Sequence, residues 1–297
     1  MTIETSAIPD VGFGVRVRGI SEDSLKDDTV RQRLRGLLAE NGLIILEGLE
    51  PDHLLQVSVG AVFGKVKDYP PDQRGKIGDR EVPGVGAMIS TPDKCTVVEI
   101  AGTQLSNWMP WHIDQCYKDS PNLARVLRCG QLPRAGGMTG FLDGALLYER
   151  LDPELRSEME SCSITYSLSL ALDDLRFGKP PGFRIVRKTS ASATTPSDAD
   201  VQTATHRAVR ITPSGRKALF FSPWMATGIA GRADTGGDAL LETVAQEIVS
   251  LGRTLGYFHS WRLSDMVIWD NLRMLHSSSG IDPTLSRIMY RTTVSAL

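Results

Sequence analysis

Short runs in which apolar and polar residues alternate, broken by turns, recur along almost the whole chain, and they constrain the fold more than any other feature. Strands are expected over residues 11–20, 43–46, 96–100, 124–129, 163–170, 266–269 and 287–294. A hairpin is expected where 206–211 and 218–221 flank the turn Pro213-Ser214-Gly215. Helices are fewer and cluster early and late. Residues 28–41 carry Val30, Leu34, Leu37 and Leu38 at helical spacing, with Gly42 placed to stop the helix. Further helices are expected over 51–62, 141–150 and 238–251, and another starts at Asp152-Pro153-Glu154. Residues 65–92, rich in Gly, Pro and charge, read as a loop. Many short strands with few helices predict a mainly β fold with flanking helices, a β-sandwich or jelly roll, in whose mouth metal sites commonly sit.

Residues 176–205 interrupt that pattern with many Ser, Thr, Ala and Pro and little apolar material. They read as an insertion, and Gly178, Pro180, Pro181 and Gly182 near its start suit a hinge. A lid over the substrate is the sharper expectation, with Arg184 or Arg187 reaching an anionic group. A tolerated surface insertion is the plainer alternative.

Composition narrows the class of partner. The chain has 297 residues and a net charge of -2, with no basic cluster, which argues against nucleic acid. No apolar run reaches membrane-spanning length, and the first ten residues show no secretory pattern. The four cysteines lie far apart without C-x-x-C spacing, which suits reduced thiols in a cytoplasmic protein.

The chemistry concentrates in Asn107-Trp108-Met109-Pro110-Trp111-His112-Ile113-Asp114-Gln115. In extended backbone His112 and Asp114 leave on the same side, so both can point at one atom. An imidazole and a carboxylate are two-thirds of a facial triad for non-haem iron(II). A surface turn with a His-Asp hydrogen bond is the bland alternative. In the last strand Arg287, Met289, Arg291 and Thr293 share one face. Two guanidiniums facing a barrel interior need anions, either structural partners or a dicarboxylate gripped by the planar Arg fork.

These residues sit in a wider pattern: W-H-x-D at Trp111 to Asp114, G-G-x-T-x-F at Gly136 to Phe141, and H-x-x-V-R-x-x-P-x-G-R-K-A-L-F from His206 to Phe220. W-D-N-x-x-x-x-H from Trp269 to His276 and R-x-x-x-R from Arg287 to Arg291 follow. In that order they resemble the iron(II)- and 2-oxoglutarate-dependent dioxygenases of the TauD/TfdA type, over nearly the whole chain. The resemblance implies a double-stranded β-helix (jelly roll) in a single domain spanning residues 1–297. It implies that His112, Asp114 and His276 bind iron(II). Arg287 and the Thr139 hydroxyl would hold the distal carboxylate of 2-oxoglutarate. Arg291 would lie near the co-substrate or clasp an anionic substrate.

The implied reaction uses O2 and 2-oxoglutarate to hydroxylate or otherwise oxidise a C–H bond of a small, anionic molecule, releasing succinate and CO2. The rival expectation is a non-catalytic jelly-roll binding protein or an enzyme of another metal. Binding alone needs no such set of residues. The loop after Phe63-Gly64 has no His before His112, so taurine, bound through such a His in taurine dioxygenase, is not the implied substrate. Lys67, Tyr69 and Arg74 occupy that region instead. The sequence leaves a homo-oligomer open.

Overall fold

The computed structural model describes residues 3–50, 52–77, 80–169, 171–188, 201–232 and 234–296. Two sheets face each other, as in a jelly roll. The larger has nine strands. Its order is Glu4–Ala7, Val15–Arg18, Leu43–Leu46, Met266–Asp270, Ala124–Gln131, Arg287–Ser295, Arg80–Ser90 and Arg74–Ile77. Lys65–Val66 also pairs with Arg287–Ser295. The smaller sheet runs Arg184–Arg187, Val97–Ile100, Thr103–His112, Met274–Ile281, Thr139–Asp143 and Tyr257–His259.

Between the sheets lie Leu127, Cys129, Phe141, Trp269, Met274 and Met289, all buried. On the outer face of the larger sheet, Val126, Ile268 and Val294 pack against two helices, Asp28–Asn41 and His53–Phe63. Asp27 caps the first helix by accepting from the Thr29 amide, and Gly42 ends it at φ +71°. A Cβ at Gly42 would also sit 2.8 Å from Met274 Sδ, so both backbone and packing demand glycine there. The long helix Thr235–Leu255 covers the outer face of the smaller sheet through Leu241, Val244 and Ile248. It is amphipathic as expected and longer than its apolar run suggested. All four cysteines are free and buried.

Two expectations need correction, and one strand carried no expectation. Residues 65–92 are not a loop: they hold three strands, and Arg80–Ser90 pairs along Arg287–Ser295. Its Gly and Pro residues hid a strand whose partner supplies the order. The helix expected over 141–150 begins only at Gly144, because Thr139–Asp143 is a strand and Asp143 caps the helix through the Ala145 amide. Met274–Ile281, which carries His276, is a full strand flanked on both sides. Its Ser277-Ser278-Ser279-Gly280 run has no β-propensity, and neighbouring strands impose the conformation.

The 176–205 segment is also more structured than expected where it is described. Phe177 is buried, and Arg184–Arg187 pairs with Val97–Ile100. Arg184 grips Glu99 at 2.7 and 2.9 Å, and Arg187 donates to the Pro92 carbonyl. Both guanidiniums thus already have partners within this sheet edge, Arg184 at Glu99 and Arg187 at the Pro92 carbonyl. Residues 189–200, where much of the expected lid falls, lie outside the described residues. Among the described residues no helix is long and apolar enough to cross a membrane.

Candidate active site

His112 ends the strand Thr103–His112, and His276 lies directly across from it on Met274–Ile281. Asp114 stands in the turn just after its strand. The three side chains bring one ligand atom each within 4.8 Å of one another. His112 Nε2 is 3.9 Å from Asp114 Oδ1, and His276 Nε2 is 3.7 Å from Asp114 Oδ2. The structure brings residues 112, 114 and 276 together, the pair that spacing placed on one side and the histidine that the resemblance added.

The protonation states suit a cation. Burial pushes the His112 imidazole below its ordinary pKa, and burial followed by the nearness of His112 pushes His276 well below. Both rings are neutral, so their nitrogens offer lone pairs. His112 Nδ1 lies 2.8 Å from the Pro110 carbonyl and can only donate to it, which leaves Nε2 as the open nitrogen. Burial alone would raise the Asp114 carboxyl, but Arg125 and then the two imidazoles hold it well below its ordinary value. It is ionised. Two neutral imidazoles and one carboxylate match the donor set that non-haem iron(II) takes.

The backbone of Asp114 is held by a residue whose role the sequence did not reveal. Asn271 accepts from the Asp114 amide at 3.1 Å and donates back to the Asp114 carbonyl at 2.9 Å. Its second donor reaches the Asn122 carbonyl at 3.1 Å. Ser222 likewise accepts from the Ile113 amide at 3.1 Å. Asn271 stands in the W-D-N run, but that run alone does not show its partner.

Arg125 is the second residue missed. It is 5% exposed, its Nε lies 2.8 Å from Asp114 Oδ2, and its Nη1 donates to the Thr293 hydroxyl at 2.7 Å. Alternation along the strand Ala124–Gln131 could have placed it on the inner face. Nothing in the local sequence tied it to Asp114.

Arg287 and Thr139 come together as expected. Arg287 is buried with no acidic partner among the described residues, and Nη2 is 3.5 Å from Thr139 Oγ1. Burial lowers its pKa from the ordinary arginine value, the expected sign for a guanidinium without a counter-ion. The Trp261 indole donates to the same Thr139 oxygen at 3.0 Å. A cavity of about 180 Å³, lined in part by Cys129, Gly137, Trp261 and Arg287, opens beside them. Arg291, farther along the strand, lies near enough to Asp114 to depress its pKa and has its guanidinium 5.3 Å from the centre of the Tyr69 ring. Among the described residues the Nε atoms of Arg287 and Arg291 meet no hydrogen-bond acceptor.

Of the region expected to replace the taurine-binding His, Tyr69 and Lys67 face this site. The Tyr69 hydroxyl meets Thr293 Oγ1 at 2.5 Å. Burial, then Lys118 and Arg125, lower the Lys67 amine. Arg74 is instead tied to Asp68 and Glu81. His206 bonds the Lys118 carbonyl through Nε2 and has a structural place. His53 and His259 are both buried, against Arg128 and Asp265 respectively.

Residues 5–293 match the family described as Taurine catabolism dioxygenase TauD, TfdA family. The chain is 30% identical to a pentalenolactone F synthase of Streptomyces avermitilis, covering 97% of this chain and 92% of that protein. It is 28% identical to an (S)-phenoxypropionate/alpha-ketoglutarate-dioxygenase of Sphingobium herbicidovorans, covering 96% and 93%. A solved structure of AAD-2 with Mn(II) and N-oxalylglycine superposes with a TM-score of 0.74 at 20% identity, covering 100% of this chain and 98% of that one. A taurine dioxygenase from Burkholderia xenovorans gives 0.72 at 20% identity, covering 99% and 90%. At that identity the two structures show a shared fold.

Proposed function

The chain belongs to the TauD/TfdA family and is an iron(II)- and 2-oxoglutarate-dependent dioxygenase, and from that premise we propose that it oxidises a C–H bond of a small anionic molecule, hydroxylation being the default. The observation that carries the site assignment is the convergence of His112, Asp114 and His276, with neutral imidazoles and an ionised carboxylate. These three residues are proposed to hold iron(II). When bound, the metal with 2-oxoglutarate and O2 supplies the oxidant, and succinate and CO2 are released.

The protein's own part is binding and orientation. Pro110 fixes the His112 ring through its carbonyl, and Asn271 and Ser222 fix the backbone that carries Asp114. Arg287 and Thr139 are proposed to receive the distal carboxylate of 2-oxoglutarate. The Trp261 N–H occupies one lone pair of Thr139 Oγ1, which leaves the threonine proton to donate to that carboxylate. Lys67, Lys118, Arg125 and Arg291 give the remaining pocket a positive field, which supports an anionic substrate.

The test is anaerobic addition of iron(II) and then 2-oxoglutarate to the purified protein. A weak visible charge-transfer band is expected, and it should vanish in His276→Ala. A protein that gives no band and no succinate under air with any candidate substrate would be a binding protein only.

A further inference from the structure

Two buried guanidiniums and a half-buried one line the inner face of two neighbouring strands, Arg125 on one and Arg287 and Arg291 on the other. The proposed function uses Arg287 for the distal end of the co-substrate. Arg125 lies elsewhere. It pairs across the strands from Thr293, six positions beyond Arg287, so the two side chains enter the site from opposite ends, Arg287 toward Thr139 and Arg125 toward Asp114. It therefore addresses the other end of the site, beside Asp114.

Its charge is incompletely matched. The Nε atom is 2.8 Å from Asp114 Oδ2, yet its N–H is aligned with no acceptor among the described residues. Its anchoring hydrogen bond goes to a neutral hydroxyl, that of Thr293. A buried guanidinium in this state is costly unless an anion completes it. Asp114 supplies that anion, but the same carboxylate is a proposed ligand of a dication. Once the dication draws on Asp114, Arg125 faces a strengthened positive field, and Arg291 adds to it. An additional anion beside Asp114 relieves all three cations.

We infer that Arg125 is a third anion-binding residue of the site, which neutralises Asp114 in the absence of metal and receives the metal-side carboxylate of 2-oxoglutarate when metal is bound. This rests on the ligand and co-substrate roles proposed above. Thr293 holds the guanidinium in place, and the Tyr69 hydroxyl shares the same threonine oxygen. The consequence is linkage: metal and 2-oxoglutarate each strengthen the other's binding through Arg125.

The experiment titrates Mn(II) calorimetrically into wild type, R125Q and R125K, each alone and with saturating 2-oxoglutarate. Thermal melting establishes that each variant is folded. R125Q is expected to bind Mn(II) alone at least as tightly as wild type, because a competing cation is gone. The tightening by 2-oxoglutarate should shrink by about tenfold, within the usual size of coupling between sites. R125K, which keeps the charge without the fork, should fall between. Should R125Q not fold, Thr293→Val removes the anchor, keeps the charge and gives the same change at smaller size.

An unchanged tightening in R125Q overturns the inference, and weaker Mn(II) binding with unchanged tightening marks Arg125 as structural. A parallel titration adds phenylacetate over saturating 2-oxoglutarate. If only its effect is lost in R125Q, the anion comes from the primary substrate and the inference as stated is overturned. Wild type that binds no Mn(II) would instead sink the ligand assignment itself, a distinct failure.

Discussion

Asn271 is the place where one atom exchange should disturb the whole site. It is fully buried and makes three hydrogen bonds with backbone groups, two of them to Asp114. Asn271→Asp keeps the volume and the acceptor for the Asp114 amide. It replaces the donor that serves two carbonyls with an oxygen that faces them. Two lost hydrogen bonds contribute about 1 kcal/mol each, and the two stranded carbonyls and the buried charge add to that. A loss of at least about 3 kcal/mol of stability is expected at neutral pH. Because the damage falls on the backbone that carries Asp114, Mn(II) affinity should drop by about 10- to 100-fold, as for other groups that orient a ligand. Urea unfolding gives the first quantity and calorimetric titration the second. A variant that keeps wild-type stability and wild-type Mn(II) affinity would show that Asn271 does not position the carboxylate.

The remaining predictions concern the co-substrate end and one buried acid. Arg287→Lys keeps the charge and loses the bidentate fork, so 2-oxoglutarate should bind about 2 to 4 kcal/mol more weakly; unchanged titration of the charge-transfer band would make Arg287 structural. Trp261→Phe keeps the buried ring and removes the N–H that engages Thr139. The expected cost is about 1 kcal/mol in 2-oxoglutarate affinity, with metal affinity unmoved, and equal losses in both would count against the assignment. Burial raises the Asp270 carboxyl to about 6 from 3.8. The folded state therefore holds a proton that the unfolded state has lost, and this acid costs stability as pH rises through about 4 to 6. Asn at position 270 removes that cost, so its advantage over wild type should grow to about 3 kcal/mol above pH 7. A difference that stays flat from pH 5 to 8 would show that the carboxyl is not held protonated.

The sequence by itself brought out the candidate ligand set and much of the scaffold. His112 and Asp114 lie two residues apart, and the alternation of Arg287, Met289, Arg291 and Thr293 is a property of any strand. The helix Asp28–Asn41 was legible because its cap, its apolar spacing and Gly42 are all local signals. The order of the motifs along the chain is itself the signature of the family. Tertiary structure decided the rest. Met274–Ile281 is a strand because Thr103–His112 and Thr139–Asp143 flank it, and Arg80–Ser90 is one because Arg287–Ser295 does the same. Asn271 meets Asp114 across 157 positions, and Thr139 meets Trp261 across 122. Arg125 lies only eleven residues after Asp114, yet the turn and the strand register bring them together. Such pairs leave no periodic trace, since a side chain that bonds a distant backbone group is chosen by the geometry of the assembled sheets.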